Sequence, residues 1–304
     1  MNGRGGEVQR RFAVQSRLFL HREIGVNDLH SARYQASRPW AKRVAQLFTQ
    51  ARQQEEACTQ AAQLVQRELA QLASLYSIND TQRETEFVLA EAYGLFVRDG
   101  RRVYGCDAEL AAALRHTRPL AALPAQLALP EGTFLLSLPG EQGDAAAYVT
   151  HRAADKRLDI LLLTPDFAPA GVPCHQRMEA ALTLGVHYPD SVSVPDSPAL
   201  ASWKPWLEGV FAMLAVLALP KVQQAAQWLP APSAAEQQQL DAGNARDRQK
   251  VRASLLKAGA QEVQLLQLPG LAPLPAAGVR AGYWRTQASK DGDRLVWVPP
   301  RANG

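Results

Sequence analysis

The last 26 residues, V-R-A-G-Y-W-R-T-Q-A-S-K-D-G-D-R-L-V-W-V-P-P-R-A-N-G, interleave two of the six tryptophans with four arginines. Arg280, Arg285, Arg294 and Arg301 carry planar guanidinium forks that match phosphate or carboxylate oxygens. Tyr283, Trp284 and Trp297 carry faces on which a base or a cation stacks. Together these groups do the chemistry of RNA or DNA recognition, in which stacking and phosphate pairing act jointly. Packing competes with that reading, because Trp284 and Trp297 are equally suited to fasten the segment to a core. In a two-stranded ribbon alternate residues share a face, so Tyr283, Arg285 and Gln287 fall on one side and Trp284 and Thr286 on the other. A divided ribbon is therefore expected, anchored through its tryptophans and open on its arginine side. The candidate binding residues are Arg280, Tyr283, Arg285, Gln287 and Arg294.

A second basic region lies at the other end. Residues 1–52 hold ten Lys or Arg against Glu7, Glu23 and Asp28, in a chain whose net charge is only +4. Arg10, Arg11 and Arg17, on a short amphipathic helix expected over 10–20, are candidates for contact with phosphate or an acidic protein surface. A solvated basic arm is the competing reading. Other chemistry is sparse. No P-loop, G-x-S-x-G, H-E-x-x-H or C-x-x-C pattern is present, which disfavours nucleotide hydrolysis, serine hydrolysis and common zinc chemistry. Cys174-His175 pairs a thiol with a base only in sequence, since adjacent side chains rarely face each other. Asp155 and Asp159 flank a basic turn and read as surface charges. No catalytic residue, metal site or cofactor is assigned.

The elements that must position these groups follow from periodicity. The apolar positions Val44, Leu47, Ala51, Cys58, Ala62, Val65, Leu69, Leu72 and Tyr76 step by three or four, a helical period with a polar interruption at Gln53 to Glu56. One long rod and a hairpin are both open. Ser37 as N-cap and Pro39 in the first turn place its start. Glu84 to Val97 reads as a further helix, Arg102 to Cys106 as a short strand, and Asp107 as the cap of an Ala-rich helix. T-F-L-L-S-L-P, A-A-A-Y-V-T and R-L-D-I-L-L-L-T read as a three-stranded meander, and Gln176 to Leu184 as a helix. The run through Val210 to Leu219 is too short to span a membrane, so it is a buried helix with Trp203 and Trp206 at its start. Residues 230–244, rich in Ala, Pro, Gln and Gly, are the best linker, and Asp247 to Ala258 is helical. Asp291-Gly292 is a turn signal within the final ribbon. Three cysteines, Cys58, Cys106 and Cys174, fit a reducing compartment, and no export signal is evident.

Three segments resemble an anti-CRISPR family typified by an inhibitor of the type V-A effector, with relatives in phages and plasmids. In E-T-E-F-V-L-A-E-A-Y-G-L-F-V-R-D-G-R-R-V-Y-G-C-D-A-E-L, the helix, glycine turn, Val103-Tyr104 and Asp107 resemble the family's helix followed by G-I-Y-x-x-D. L-P-A-Q-L-A-L-P-E-G-T-F-L-L-S-L-P resembles its run into a first sheet strand. The final segment resembles its closing R-G-H-W motif and following strand, except that Tyr283 stands where the family has His, between Gly282 and Trp284. The resemblance implies a protein that lowers the effector's transcript by engaging the effector during translation. Its partners would then be the nascent peptide or its mRNA, with the ribosome as a further candidate.

The expected fold is α+β, with a helical N-terminal half, a small antiparallel sheet and a C-terminal β-ribbon docked on the body. The expected division is a basic arm over 1–38, a body over 39–229, a linker over 230–246 and a helix plus ribbon over 247–304. The expected function is suppression of CRISPR effector expression in the bacterial cytoplasm. A metal-independent ribonuclease built on Tyr283, Arg280 and Arg285, and a general nucleic-acid-binding accessory protein, are the alternatives.

Overall fold

A computed structural model describes residues 30–73, 80–124, 127–138, 145–164, 180–188, 192, 200–275, 277–287 and 294–302. The fold is α+β. By contact the chain divides into two compact units, one of Met1–Arg98, Pro165–Ala180 and Trp228–Gln261, the other of Asp99–Thr164, Ala181–Gln227 and Glu262–Gly304.

The first unit is helical. A short α1 (His30–Ser37) precedes α2 (Ala41–Gln50), α3 (Gln54–Ala73) and α4 (Asp80–Arg98). The helix breaks just before the polar patch: Ala51 is extended (φ −66°, ψ 139°), α3 restarts at Gln54, and Arg43 of α2 reaches Glu68 of α3 at 3.3 Å. That contact, early residue to late residue, makes the pair an antiparallel hairpin. Arg98 at the end of α4 bonds Gln54 at the start of α3 (3.2 Å), so α4 runs antiparallel to α3. The buried stripe is Ala57, Ala61, Val65 and Leu69 on α3, facing a core that includes Val44, Phe48, Leu89 and Phe96. Cys58 and Ala62 lie half-buried at its edge.

Two expectations at this end are corrected. Ser37 does not cap the long helix; it closes α1, and α2 begins after Trp40. Trp40 is buried and its Nε1 donates to the Tyr34 hydroxyl at 3.1 Å, so burial of the indole sets the start in place of a polar cap. Nor is all of 1–38 an arm, since Ser31 and Tyr34 are buried. The amphipathic helix expected over 10–20 lies outside the described residues.

Gly94, inside α4, shows how tightly these helices pack. A Cβ there would sit within the Phe48 ring, which is itself buried. Gly94→Ala is therefore expected to destabilise the protein by about 1–3 kcal/mol through overpacking. The ordinary gain in helix propensity, about 1 kcal/mol, acts in the opposite direction. A melting temperature equal to or above that of the native protein would show that Phe48 can move aside.

The second unit is built on a seven-stranded sheet. The meander forms as expected: β2 (Gly132–Leu138), β3 (Ala145–Arg152) and β4 (Arg157–Thr164) pair antiparallel. The sheet is larger than that meander and mixed in direction. β1 (Val103–Cys106) is parallel to both β2 and β7 (Gln261–Gln267). The segment expected as a helix over 176–184 is corrected where it is described, since β5 (Ala180–His187) is an extended strand. An apolar run of that length satisfies either period, and pairing decides. β6 (Gln223–Leu229) closes the far edge, so the strand order is β5-β4-β3-β2-β1-β7-β6.

Asp107 caps α5 (Ala108–Arg115), accepting from the Leu110 N–H at 2.8 Å. α6 (Lys204–Leu217) is buried along most of its length and packs in the core with Phe134, Leu136, Val149 and Leu162. Asp159 pairs with Arg152 (3.1 Å) and Arg157 (2.7 Å), in keeping with its reading as a surface charge. The linker candidate 230–246 holds a helix at its centre: α7 (Ala234–Ala242) carries a full capping box between Ser233 and Glu236. The next helix, α8 (Ala245–Ala258), is capped by Asn244 and ended by Gly259 at φ 92°. None of the described helices is long and apolar enough to cross a membrane.

Candidate functional site

The described residues of the final segment form four short strands: β8 (Val279–Arg280), β9 (Tyr283–Gln287), β10 (Arg294–Val298) and β11 (Arg301–Ala302). β9 and β10 pair antiparallel, as do β8 and β11. The turn expected at Asp291-Gly292 lies outside the described residues.

The ribbon docks on the segment after α5. The Gly282 N–H donates to His116 O at 3.0 Å, and the Arg118 N–H donates to Gly282 O at 2.9 Å. This close approach explains the glycine: a Cβ at Gly282 would lie 2.8 Å from both Pro300 and the Thr117 hydroxyl. Trp297 Nε1 donates to that same Thr117 Oγ1 at 3.2 Å, and the Thr117 hydroxyl donates onward to Ala113 O at 2.8 Å.

Register then divides the side chains. Trp284 lies opposite Trp297, and Thr286 opposite Leu295. The two indoles stack with centroids 5.7 Å apart, and Trp297 belongs to the core cluster. On the other face Tyr283 lies opposite Val298, Arg285 opposite Val296 and Gln287 opposite Arg294. Tyr283 is 40% exposed, one of the few large apolar side chains so open among the described residues, and Arg285, Gln287 and Arg294 are exposed around it. The structure thus brings four of the five candidate ribbon residues to one outer face. The fifth, Arg280, lies on the neighbouring pair of strands, directly opposite Arg301. Both are exposed, and like charges facing each other across a ladder repel. An anion bridging the two guanidinium groups relieves that repulsion. Arg10, Arg11 and Arg17 lie outside the described residues, as do Cys174 and His175.

No family model, curated protein or solved structure matches this chain. What the groups can do therefore rests on their own geometry. Neither described cysteine is placed as a nucleophile: burial pushes the Cys106 thiol up to about 12, and burial together with the Glu91 carboxylate pushes Cys58 up to about 11. His151 is buried, with Nδ1 3.2 Å from Pro130 O and Nε2 2.9 Å from the Tyr188 hydroxyl. A carbonyl only accepts, so Nδ1 donates to Pro130 O, and Nε2 pairs with the Tyr188 hydroxyl. That is a satisfied core histidine. No group of three or more His, Cys, Asp or Glu among the described residues is placed to hold a metal ion.

Sequence reasoning missed one basic surface. α8 carries Arg246, Arg248, Lys250, Arg252 and Lys257 against a single acid, Asp247. Arg246, Lys250 and Lys257 stand at i, i+4 and i+11, one stripe roughly opposite the buried Val251 and Leu255. Among the described residues, Arg246, Arg248, Lys250 and Lys257 form no ion pair. The signal was present in A-R-D-R-Q-K-V-R, but counting charge by chain ends averaged it away against neighbouring acids.

Proposed function

We propose that this protein binds RNA through the outer face of its C-terminal ribbon and, by doing so, suppresses expression of a CRISPR effector in the bacterial cytoplasm. One observation carries the binding step: an exposed tyrosine ring stands among arginines on the face turned away from the tryptophan anchor. A stacking surface beside planar cations is what a single-stranded nucleic acid requires. The facing Arg280 and Arg301 add an anion-seeking pair beside it. The link to a CRISPR effector rests on the resemblance of three sequence segments to the anti-CRISPR family. The effector's nascent peptide is the other macromolecule to which that resemblance points.

The test is a titration of labelled single-stranded RNA at several salt concentrations, with the Arg280→Ala/Arg285→Ala/Arg301→Ala triple variant and with Tyr283→Ala. Each phosphate contact contributes about 0.7 to the slope of log K against log salt, so the triple variant is expected to lose about 2 units of slope. Tyr283→Ala is expected to weaken binding by about 1–3 kcal/mol, the typical worth of one stacked base. Both variants are expected to melt like the native protein. In cells carrying the effector, both are expected to restore its transcript. Native slope and affinity in the triple variant would overturn the reading, and so would crosslinking in cells that recovers effector peptide without RNA. Cleavage of the RNA in chelator would replace binding with ribonuclease activity.

A further inference from the structure

Within the second unit, between α5, α6 and the ribbon, lies a pocket of about 410 Å³. Its walls are apolar and include Trp206 and Met213 of α6, Leu114 of α5, Leu138 of β2 and the ribbon's Trp284. Small-molecule sites typically occupy about 300–1,000 Å³ and combine such walls with a few placed polar groups.

Three features mark it as a built site. Gly209 lies inside α6, where glycine costs about 1 kcal/mol relative to alanine. Its backbone does not require glycine, and a Cβ there would meet only Leu138 Cδ2, at an ordinary 3.9 Å. Gly94 yields to a neighbouring ring, whereas Gly209 yields to empty volume and keeps the pocket open. The second feature is Trp284, which stacks one indole face on Trp297 and is itself a lining residue. The third is charge. Arg115 and Arg118 are exposed lining residues at the α5 side, and neither forms an ion pair among the described residues. Among the described lining residues Glu208 is the one acid, and it stands on α6. It repels an anion from the α6 side and so favours the α5 side, where the two arginines lie.

We propose that this pocket binds a small planar aromatic anion, its ring against Trp206 and Trp284 and its acidic group at Arg115 and Arg118. The site is separate from the outer face of the ribbon and does not depend on RNA binding. Because Trp284 lines the pocket and also pairs with Trp297, a ligand here reaches the ribbon's anchor.

The test uses 8-anilinonaphthalene-1-sulfonate and its uncharged analogue N-phenyl-1-naphthylamine as probes on the full chain, followed by fluorescence. The sulfonate probe is expected to bind one-to-one and saturably. Gly209→Leu is expected to weaken it at least tenfold and Gly209→Ala by a smaller factor, with native near-ultraviolet circular dichroism in the alanine variant. Arg115→Ala/Arg118→Ala is expected to weaken the sulfonate probe at least tenfold while changing the uncharged probe less than twofold. Absence of saturable binding to the native protein would overturn the proposal. Unchanged affinity in both Gly209 variants would do the same by placing the probe elsewhere, and equal loss of the two probes in the double arginine variant would remove the anion from the ligand class.

Discussion

Trp297→Ala is expected to lower stability by about 3–5 kcal/mol, the range for truncating a buried aromatic. Three interactions go with the side chain. Its ring is 7% exposed within the main core cluster, it stacks on Trp284, and its Nε1 holds the Thr117 hydroxyl that receives the ribbon. Removing it also strips Trp284 of its stacking partner, so the second tryptophan of the ribbon is weakened by the same substitution. For a unit of this size the loss corresponds to a fall on the order of 10 °C in melting temperature. Trp297→Phe keeps most of the buried area and loses the hydrogen bond, so a smaller loss is expected. Trp284→Ala should also cost less than Trp297→Ala, because Trp284 is only half-buried. If Trp297→Ala melts within a degree of the native protein, the ribbon is not anchored by its tryptophans, and the division of its faces fails.

Arg38→Ala is expected to cost a similar amount, about 3–5 kcal/mol, for a different reason. Glu86 is 2% exposed, and Arg38 holds its carboxylate through Nε at 3.1 and 3.0 Å and through Nη2 at 2.5 Å. Deleting the guanidinium leaves a buried charge without its partner, and desolvation makes that expensive. Replacing both partners with apolar residues, Arg38→Met with Glu86→Leu, removes the charge as well and is expected to recover most of the loss. Arg38 also lies over the Tyr34 ring, 5.8 Å from its centroid, so packing could account for the effect instead. The double variant separates the two causes: if it is as unstable as Arg38→Ala, packing on Tyr34 and not the buried carboxylate dominates. Thermal melts of the three proteins decide it.

The sequence by itself determined the elements whose signal is local. The 3.6-residue stripe specifies α3 because Val65 and Leu69 must share a face. Asp107 marks the start of α5 because its carboxylate reaches the Leu110 N–H three residues on. The meander is legible because its strands follow one another in sequence and pair with neighbours. The two faces of the ribbon are legible because a strand alternates whatever it docks against. Tertiary structure decided the rest. β1 pairs with β7, about 160 residues away in sequence, and no short-range pattern encodes a partner at that distance. α7 buries no residue, so no apolar stripe announces it, and its capping box is its main local support. The face of Tyr283 was readable, but its exposure was not, because that depends on where Gly282 meets Thr117. The pocket beside Trp284 was invisible for the same reason: an empty volume has no residues of its own and exists only once α5, α6 and the ribbon are brought together.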